Sequence, residues 1–315
     1  MTQRTFAELE YAAKRRKTRR ERFLERMDGL IPWARLEARI AAHYPKGGVG
    51  RQPYPLEAMV RVHCLQLFYN LSDPGLEDAL YEVESMRRFA RLSLARIPDE
   101  TTILNFRHLL ERHALGEAVF DEIKAHLSAQ GLMLREGTIV DATILSAPSS
   151  TKNEAGARDP EMHQVRKGNE WYFGMKLHVG VDDVRGLIHS VHTTAANAAD
   201  ISVAGELLHG GECRVWGDAG YQGIERRDEH RERRTTWWIA MRPGQRRMLA
   251  QRSTAARLER LKARMRAKVE HPFRYIKQVF GYEKVRYRGL AKNTNRLLVL
   301  AGLTNLMIAR RYSTA

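Results

Sequence analysis

The N-terminal part of the chain has the apolar spacing of helices. Over residues 56–130, apolar side chains recur at intervals of three and four, as one buried helix face requires. The pattern is interrupted at 73–75 (Asp-Pro-Gly) and again before Pro98, where turn-forming and helix-starting residues cluster. We therefore predict a domain of several short helices over 45–133, preceded by a helical segment over 5–44.

Beyond residue 134 the pattern changes to short β runs. β-branched and alternating apolar residues predict strands, while the polar, aperiodic stretch 148–171 predicts a long mobile loop. Residues 182–186, which begin Asp-Asp and end in Gly, predict a hairpin turn between two of the strands. The predicted strands cover residues 138–141, 176–181, 187–194, 214–216 and 235–241.

Helices alternate with the later strands and complete the chain. We predict short helices at 201–208 and 223–233, a long basic helix at 255–280 and a very apolar helix at 294–309. The apolar stripe of the long helix continues through Pro272, which predicts one kinked helix rather than two. This order of elements indicates an α/β fold, a mixed sheet flanked by helices.

The composition places the chain among soluble intracellular proteins. Hydrophobic residues make up 43% of its 315 residues, which is typical of a globular protein. The sequence has neither an uninterrupted apolar stretch of about 20 residues, as a membrane span needs, nor the apolar core of a signal peptide. Its two cysteines, Cys64 and Cys213, are too few for a disulfide framework. We expect a cytoplasmic protein without a membrane partner.

The net charge of +16 is concentrated at the two ends of the chain. Residues 1–50 contain 12 Lys and Arg against 6 Asp and Glu, and residues 251–315 contain 16 against 3. Such ends can neutralise a phosphate backbone and release its counterions, so we predict nucleic-acid binding. A solvated or ribosome-like basic surface is the alternative.

Two N-terminal features are candidate DNA contacts. Seven of the nine residues 14–22 are basic, and Lys14, Arg15, Arg16 and Lys17 begin this run, which is a DNA-binding arm, a tail that folds on binding or an exposed helix face. Arg107 lies on a predicted helix that is either the reading helix of a helix-turn-helix or an ordinary capped helix.

Two aspartates follow apolar strands in a way that suits metal chemistry. Asp141 ends the run Thr138–Val140 and Asp218 follows Val215-Trp216, each with small residues after it. Carboxylates can hold two Mg²⁺ or Mn²⁺ ions for phosphodiester cleavage. An aspartate at a strand end is more often a turn former or a helix cap, so the pattern alone leaves both readings open.

Glu270 shares a face of the long helix with two cations. At about 100° per residue, Arg266 lies roughly 40° from Glu270 and Lys277 roughly 20° on the other side. This face lies beside the apolar stripe. A surface ion pair between Arg266 and Glu270 is the alternative, and spacing does not exclude it.

Several separate motifs resemble those of bacterial insertion-sequence transposases. The closest group is the fifth insertion-sequence family, which is related to the Harbinger elements. The resemblance covers nearly all of residues 45–310. It is carried by Val-Asp-Ala-Thr-Ile-Leu-Ser-Ala-Pro at 140–148, Arg-Asp-Pro-Glu-Met-His-Gln at 158–164, Trp-Tyr-Phe-Gly-Met-Lys at 171–176, Gly-Asp-Ala-Gly-Tyr-Gln at 217–222, Pro-Asp-Glu-Thr-Thr-Ile-Leu at 98–104 and Val-Glu-His-Pro-Phe-Arg at 269–274.

The resemblance implies a ribonuclease-H-like catalytic domain with an Asp-Asp-Glu triad formed by Asp141, Asp218 and Glu270 on two Mg²⁺ or Mn²⁺ ions. The wider superfamily has a Tyr, Arg, Glu, Lys signature, whose last three positions match Arg266, Glu270 and Lys277. Both cations are then expected on DNA phosphates. The Tyr position is Ala263 here, which puts one DNA contact in doubt.

We accordingly expect three regions: a basic helical arm (1–44), a helical DNA-binding domain (45–133) and a ribonuclease-H-like catalytic domain (134–315). The expected enzyme is a bacterial, nucleoid-associated homodimer or larger homo-oligomer that binds terminal inverted repeats. It hydrolyses a strand at the element end and joins the freed 3′-OH to target DNA. A non-catalytic DNA-binding descendant of a transposase and a structure-specific metal-dependent nuclease are the alternatives.

Overall fold

The N-terminal half of the protein is helical. The computed structural model describes residues 11–313 except 12, 49, 51, 135 and 155. Its helices up to residue 129 are α1 (Arg19–Leu30), α2 (Trp33–Ala41), α3 (Leu56–Phe68), α4 (Asp73–Glu82), α5 (Glu84–Ala90), α6 (Glu100–Arg112) and α7 (Leu115–Ala129). The helices predicted over 56–130 are confirmed.

Short polar side chains set where three of these helices begin. The Thr18 hydroxyl accepts a hydrogen bond from the Glu21 amide, and the Glu21 carboxylate accepts one from the Thr18 amide, a reciprocal capping box at α1. Ser72 caps α4 through the Gly75 amide, and Asp99 caps α6 through the Thr102 amide at 2.7 Å. The Asp-Pro-Gly sequence at 73–75 therefore forms the first turn of a helix.

The second half contains a mixed sheet of six strands. These are β1 (Gly137–Ser146), β2 (His163–Lys167), β3 (Glu170–Asp182), β4 (Ile188–Ala195), β5 (Arg214–Gly217) and β6 (Thr236–Ile239). The strand order is β2-β3-β1-β5-β6, and β4 pairs with β3. Strand β1 is antiparallel to β3 but parallel to β5, which is parallel to β6. The predicted α/β class and mixed sheet are confirmed.

The long basic helix predicted at 255–280 is continuous but not uniform in its helical geometry. It consists of α9 (Thr254–Arg266), a 3-10 turn (Ala267–Val269), α10 (Glu270–Arg274) and a π turn (Tyr275–Val279), and a separate short helix, α8 (Pro243–Arg247), precedes it. The departures from α geometry lie on either side of Pro272 rather than at it. The last helix is α11 (Leu290–Ser313).

Three local predictions were wrong. The segment 148–171, predicted as a mobile loop, contains β2 and the start of β3, because backbone pairing orders residues whose side chains are polar and exposed. The predicted helix at 223–233 is two short 3-10 turns, Ile224–Arg226 and Asp228–His230. The basic run is not helical over residues 14–18, since α1 begins only after its cap at Thr18.

One apolar cluster joins both halves of the protein. It includes Leu24 of α1, Leu36 of α2, Ile123 of α7, Val179 of β3 and Leu300 of α11. Helices α7 and α11 pack directly against each other. Residues 19–41 therefore form part of the core rather than a projecting arm, while the first ten residues of the predicted arm lie outside the described residues. The boundary expected at 133/134 does not separate two cores.

A second, smaller cluster covers the other face of the sheet. It contains Val140 of β1, Val215 of β5 and Tyr221. Burial on both faces fixes the strands that carry the candidate aspartates. No described helix, α11 included, combines the length and apolarity needed to cross a membrane.

Candidate active site

Asp141 and Asp218 lie side by side on neighbouring parallel strands. The register pairs Thr138 with Val215 and Ile139 with Trp216, so two residues further along each strand Asp141 stands beside Asp218. Neighbouring strands are about 4.8 Å apart. The sheet thus places both carboxylates beside each other where β5 ends, although β1 continues past Asp141 to Ser146, so Asp141 does not end its strand as predicted.

Backbone amides orient both aspartates. Asp141 Oδ1 accepts a hydrogen bond from the Ala142 amide at 2.8 Å, and Asp218 Oδ1 accepts one from the Gly220 amide at 2.8 Å. Asp218 also caps the 3-10 turn Ala219–Tyr221. Each carboxylate keeps a second oxygen for another ligand, and neither forms an ion pair with a described residue.

Glu270 lies on the long helix, which packs against the strands of both aspartates. Helix α9 contacts β5, and the 3-10 turn Ala267–Val269 contacts β1. Val269 is fully buried in the main core, whereas the next residue, Glu270, is exposed. The core contact at Val269 therefore fixes the turn from which Glu270 extends.

The acids act on one another electrostatically. Burial is the main cause that raises the pKa of Asp141 to about 6, and the negative charges of Asp218 and Glu270 act in the same direction. The Ala142 amide and the Arg266 guanidinium oppose this rise in pKa. Three carboxylates and one cation thus share one neighbourhood, and together they carry excess negative charge.

The carboxylates of Asp141, Asp218 and Glu270 suit a hard divalent cation, although they do not form a fully enclosed metal site. Among the described residues, no three His, Cys, Asp or Glu side chains are already drawn together tightly enough to hold a metal ion. Carboxylate oxygens are the donors that Mg²⁺ and Mn²⁺ prefer. A cation would also relieve the repulsion that helps raise the pKa of Asp141. The residues present therefore fit one or two such ions.

Arg266 and Lys277 flank Glu270 in different ways. The Nε of Arg266 is buried, and it has no hydrogen-bond partner among the described residues. The half-buried Lys277 donates from Nζ to the Ile144 carbonyl of β1 at 2.7 Å. Burial, followed by repulsion from Lys167, lowers the pKa of Lys277. Lys277 thus anchors the helix to β1 with one of its three donors.

The N-terminal candidates lie apart from the three acids in sequence and differ in exposure. Arg15, Arg16 and Lys17 are exposed, and Lys17 pairs with Glu25 at 2.8 Å. Lys14 forms an ion pair with Glu21 and stacks over the Tyr11 ring at 3.7 Å. Their role in DNA binding remains a prediction.

Arg107 does not fit the role predicted for it. The residue is only 7% exposed, and its guanidinium pairs with Asp73 at 2.9 Å and Glu111 at 2.7 Å. These bonds raise the pKa of Arg107 against the effect of burial. The residue ties α6 to α4 and presents no free guanidinium to DNA.

A second set of arginines escaped the sequence analysis as a group. Between residues 242 and 264 seven arginines are exposed, and none forms an ion pair with a described residue. Glu259, the single acid of this stretch, is buried and bound to Lys262 at 2.8 Å. We call this set the arginine face: Arg242, Arg246, Arg247, Arg252, Arg257, Arg260 and Arg264. The density of arginines within these 23 residues was the signal from which the sequence could have predicted this face.

The arginine face leads towards Glu270. Arg246, Arg247 and Arg260 line a groove of about 460 Å³ that also includes Ala263, the position of the absent Tyr. The face begins after the edge strand β6 and continues along α9. A polyanion lying along it would be directed to the acidic site.

Two family models match the chain. Residues 133–306 match the family model described as "Transposase DDE domain", which covers more than half of the chain and all three acids. Residues 12–109 match a model described as "Transposase domain (DUF772)". No solved structure gives a significant match to the chain. The protein therefore belongs to the family of DDE transposases found in insertion sequences.

Proposed function

We propose that this protein is a transposase of the fifth, Harbinger-related insertion-sequence family whose Asp141, Asp218 and Glu270 form the catalytic centre. The observation that carries the proposal is the β1–β5 register, which sets two aspartates side by side beneath the helix of Glu270. The mixed sheet with an antiparallel β3-β1 pair and parallel β5 and β6 is consistent with a ribonuclease-H-like domain over 134–315.

In this proposal the three carboxylates bind two Mg²⁺ or Mn²⁺ ions. When bound, such ions activate the attacking oxygen and stabilise the leaving oxygen of a phosphodiester. Asp141 and Asp218 bind from the sheet, each oriented by a backbone amide, and Glu270 binds from the helix. Arg266 contributes a fixed positive charge beside Asp141.

The substrate is the double-stranded end of the element. The arginine face binds its phosphates, and the helical region 45–133 and the basic run from Lys14 to Lys17 bind further along the DNA. Water hydrolyses one phosphodiester at the element end, which leaves a 3′-OH and a 5′-phosphate. The 3′-OH then attacks a phosphodiester of the target DNA and displaces the 3′-oxygen of the target strand. The terminal inverted repeats are bound by a homodimer or larger homo-oligomer.

A joining assay tests this function. The protein, Mg²⁺, a labelled element end and a supercoiled plasmid are incubated together, and label transferred to the plasmid is measured. We expect joined product with the wild type and none with Asp218→Asn. Cleaved but unjoined ends would instead indicate a structure-specific nuclease. Binding without cleavage would indicate a non-catalytic DNA-binding descendant, and either result would overturn the proposal.

A further inference from the structure

The turn between β3 and β4 is built as a rigid unit. Asp182 accepts hydrogen bonds from the amides of Val184, Arg185 and Leu187 at 3.0, 2.7 and 2.8 Å. Gly186 closes the turn at φ +77°, a left-handed conformation that favours glycine. Hydrogen bonds to one carboxylate thus fix residues 182–187, which we call the 182–187 turn.

Asp183 connects this turn to the strand of Asp218. The residue is 1% exposed, and its carboxylate accepts hydrogen bonds from Trp216 Nε1 at 2.9 Å and from the guanidinium of Arg214 at 3.1 Å. The Arg214 bonds raise the pKa of that guanidinium. Trp216 lies two residues before Asp218, which is about 7 Å along a strand.

Close packing at the start of β1 completes this contact. A Cβ on Gly137 would lie 2.3 Å from Asp183 Oδ2, so only glycine admits the carboxylate here. The Asp183 amide donates to the Gly137 carbonyl at 3.1 Å. Trp216 is held from its other side by Trp238 of β6, with ring centroids 5.3 Å apart. Asp183 thus fixes Trp216 within the sheet.

The same turn holds the helix of Glu270. Lys268 Nζ donates to the Asp183 carbonyl at 2.5 Å, and the Val184 carbonyl lies 3.4 Å away. Lys268 stands two residues before Glu270, about 3 Å along the helix axis. Lys277, after Glu270, is bound to β1 at Ile144. Glu270 therefore lies between two lysine contacts, one to the 182–187 turn and one to β1.

From this arrangement we infer that the 182–187 turn is a positioning device, which sets Glu270 against Asp218 through Lys268 on one side and Trp216 on the other. The inference rests on the proposed function, because it concerns the spacing of the proposed metal ligands. In this inference Asp183, Trp216 and Lys268 are positioning residues and bind neither substrate nor metal. They act through the two acids.

The test uses Lys268→Met, which removes the ammonium group but keeps the aliphatic stem. Lys152→Met, in an exposed loop, is the matched control for the lost charge. We expect Lys268→Met to slow strand cleavage about 10- to 100-fold, since misplacement by about 1 Å has this effect. The Mg²⁺ concentration for half-maximal cleavage should rise several-fold, and affinity for the element end should match that of the control.

A metal-free measurement separates positioning from stability. In hydrogen exchange without DNA or metal, Lys268→Met should speed exchange of the amides at 266–271, with the midpoint of thermal unfolding close to that of the control. Trp216→Phe, which keeps an aromatic ring but removes the indole N–H donor, should speed exchange at 217–219.

A lower unfolding temperature with normal cleavage and normal metal dependence in the cold would overturn the inference. Unchanged exchange at 266–271 would do so as well. A wild type that cleaves no DNA would contradict the proposed function, while the exchange data would still decide on the positioning device.

Discussion

At the scale of single residues, repulsion is built into the candidate site. Asp141 lies half-buried beside Asp218 and Glu270, and burial with these charges raises its pKa to about 6. Functional sites commonly lower stability in this way. The folded protein holds the Asp141 proton more tightly than the unfolded chain, whose aspartates titrate near pH 4. The stabilisation is present below about pH 4 and is lost as pH rises through about 6.

Asp141→Asn should therefore stabilise the metal-free protein at pH 7, by on the order of 1–2 kcal/mol. The neutral amide can still accept the Ala142 hydrogen bond, and it removes the buried charge. The measurement is the free energy of unfolding in denaturant between pH 4 and 7, where the gain should shrink towards pH 4. Asp78→Asn, at an exposed position, is the control. An equal gain at both pH values would exclude this explanation.

The three proposed acids could be identified from the sequence, but the residues that support them could not. An aspartate after an apolar strand and a glutamate between two helix-face cations can be read locally, and the family resemblance selected among the readings. Asp183 looks like an ordinary turn residue. Its role depends on Arg214 and Lys268, which lie 31 and 85 residues away in the chain. The burial of Arg107 could not be predicted for the same reason, because its partner Asp73 is 34 residues away.

At the scale of secondary-structure elements, the periodicity of apolar residues predicted the helices and most strands. The remaining strand structure depends on backbone pairing between strands. Strand β2 has mostly exposed side chains and is ordered by its ladder with β3, a contact that has no local signal. The 3-10 and π turns around Glu270 are also unpredictable from spacing. They adjust the direction of a helix whose two ends pack on different elements.

The crossing of α7 and α11 makes a prediction at this scale. The Gly116 amide of α7 donates to Asn295 Oδ1 of α11 at 2.8 Å, and a Cβ on Gly116 would lie 2.4 Å from the Asn295 carbonyl. Gly116→Ala should therefore destabilise the protein by roughly 1–3 kcal/mol through overpacking. Gly29→Ala in α1, where a Cβ meets nothing within 4 Å, should stabilise it by up to about 1 kcal/mol.

Denaturant unfolding of both glycine variants measures this difference. Because one apolar cluster spans both halves, circular dichroism and tryptophan fluorescence should report a single transition. A gain in stability for Gly116→Ala would show that the two helices do not cross this closely.

At the scale of the whole molecule, charge is distributed to guide a polyanion to the acids. The arginine face forms no ion pairs with described residues, and it continues along α9 towards Glu270. We expect affinity for the element end to fall steeply with salt. The slope of log K against log salt should flatten by about 0.9 for each phosphate contact removed.

The triple variant of Arg246, Arg247 and Arg260 to Ala should flatten that slope by about three, without changing sequence preference. Arg311→Ala, at the end of α11, should leave the slope nearly unchanged. Titrations at several salt concentrations measure both variants. Equal slopes in the triple variant and the wild type would show that DNA does not lie along the arginine face.

The central claim is that Asp141, Asp218 and Glu270 together hold the catalytic metal ions, and a crystal structure with element-end DNA and Mn²⁺ tests it most directly. We predict two anomalous-scattering peaks about 4 Å apart, within bonding distance of the three carboxylates. Carboxyl groups more than about 10 Å apart in that complex, too far for two such ions to bridge, would contradict the claim.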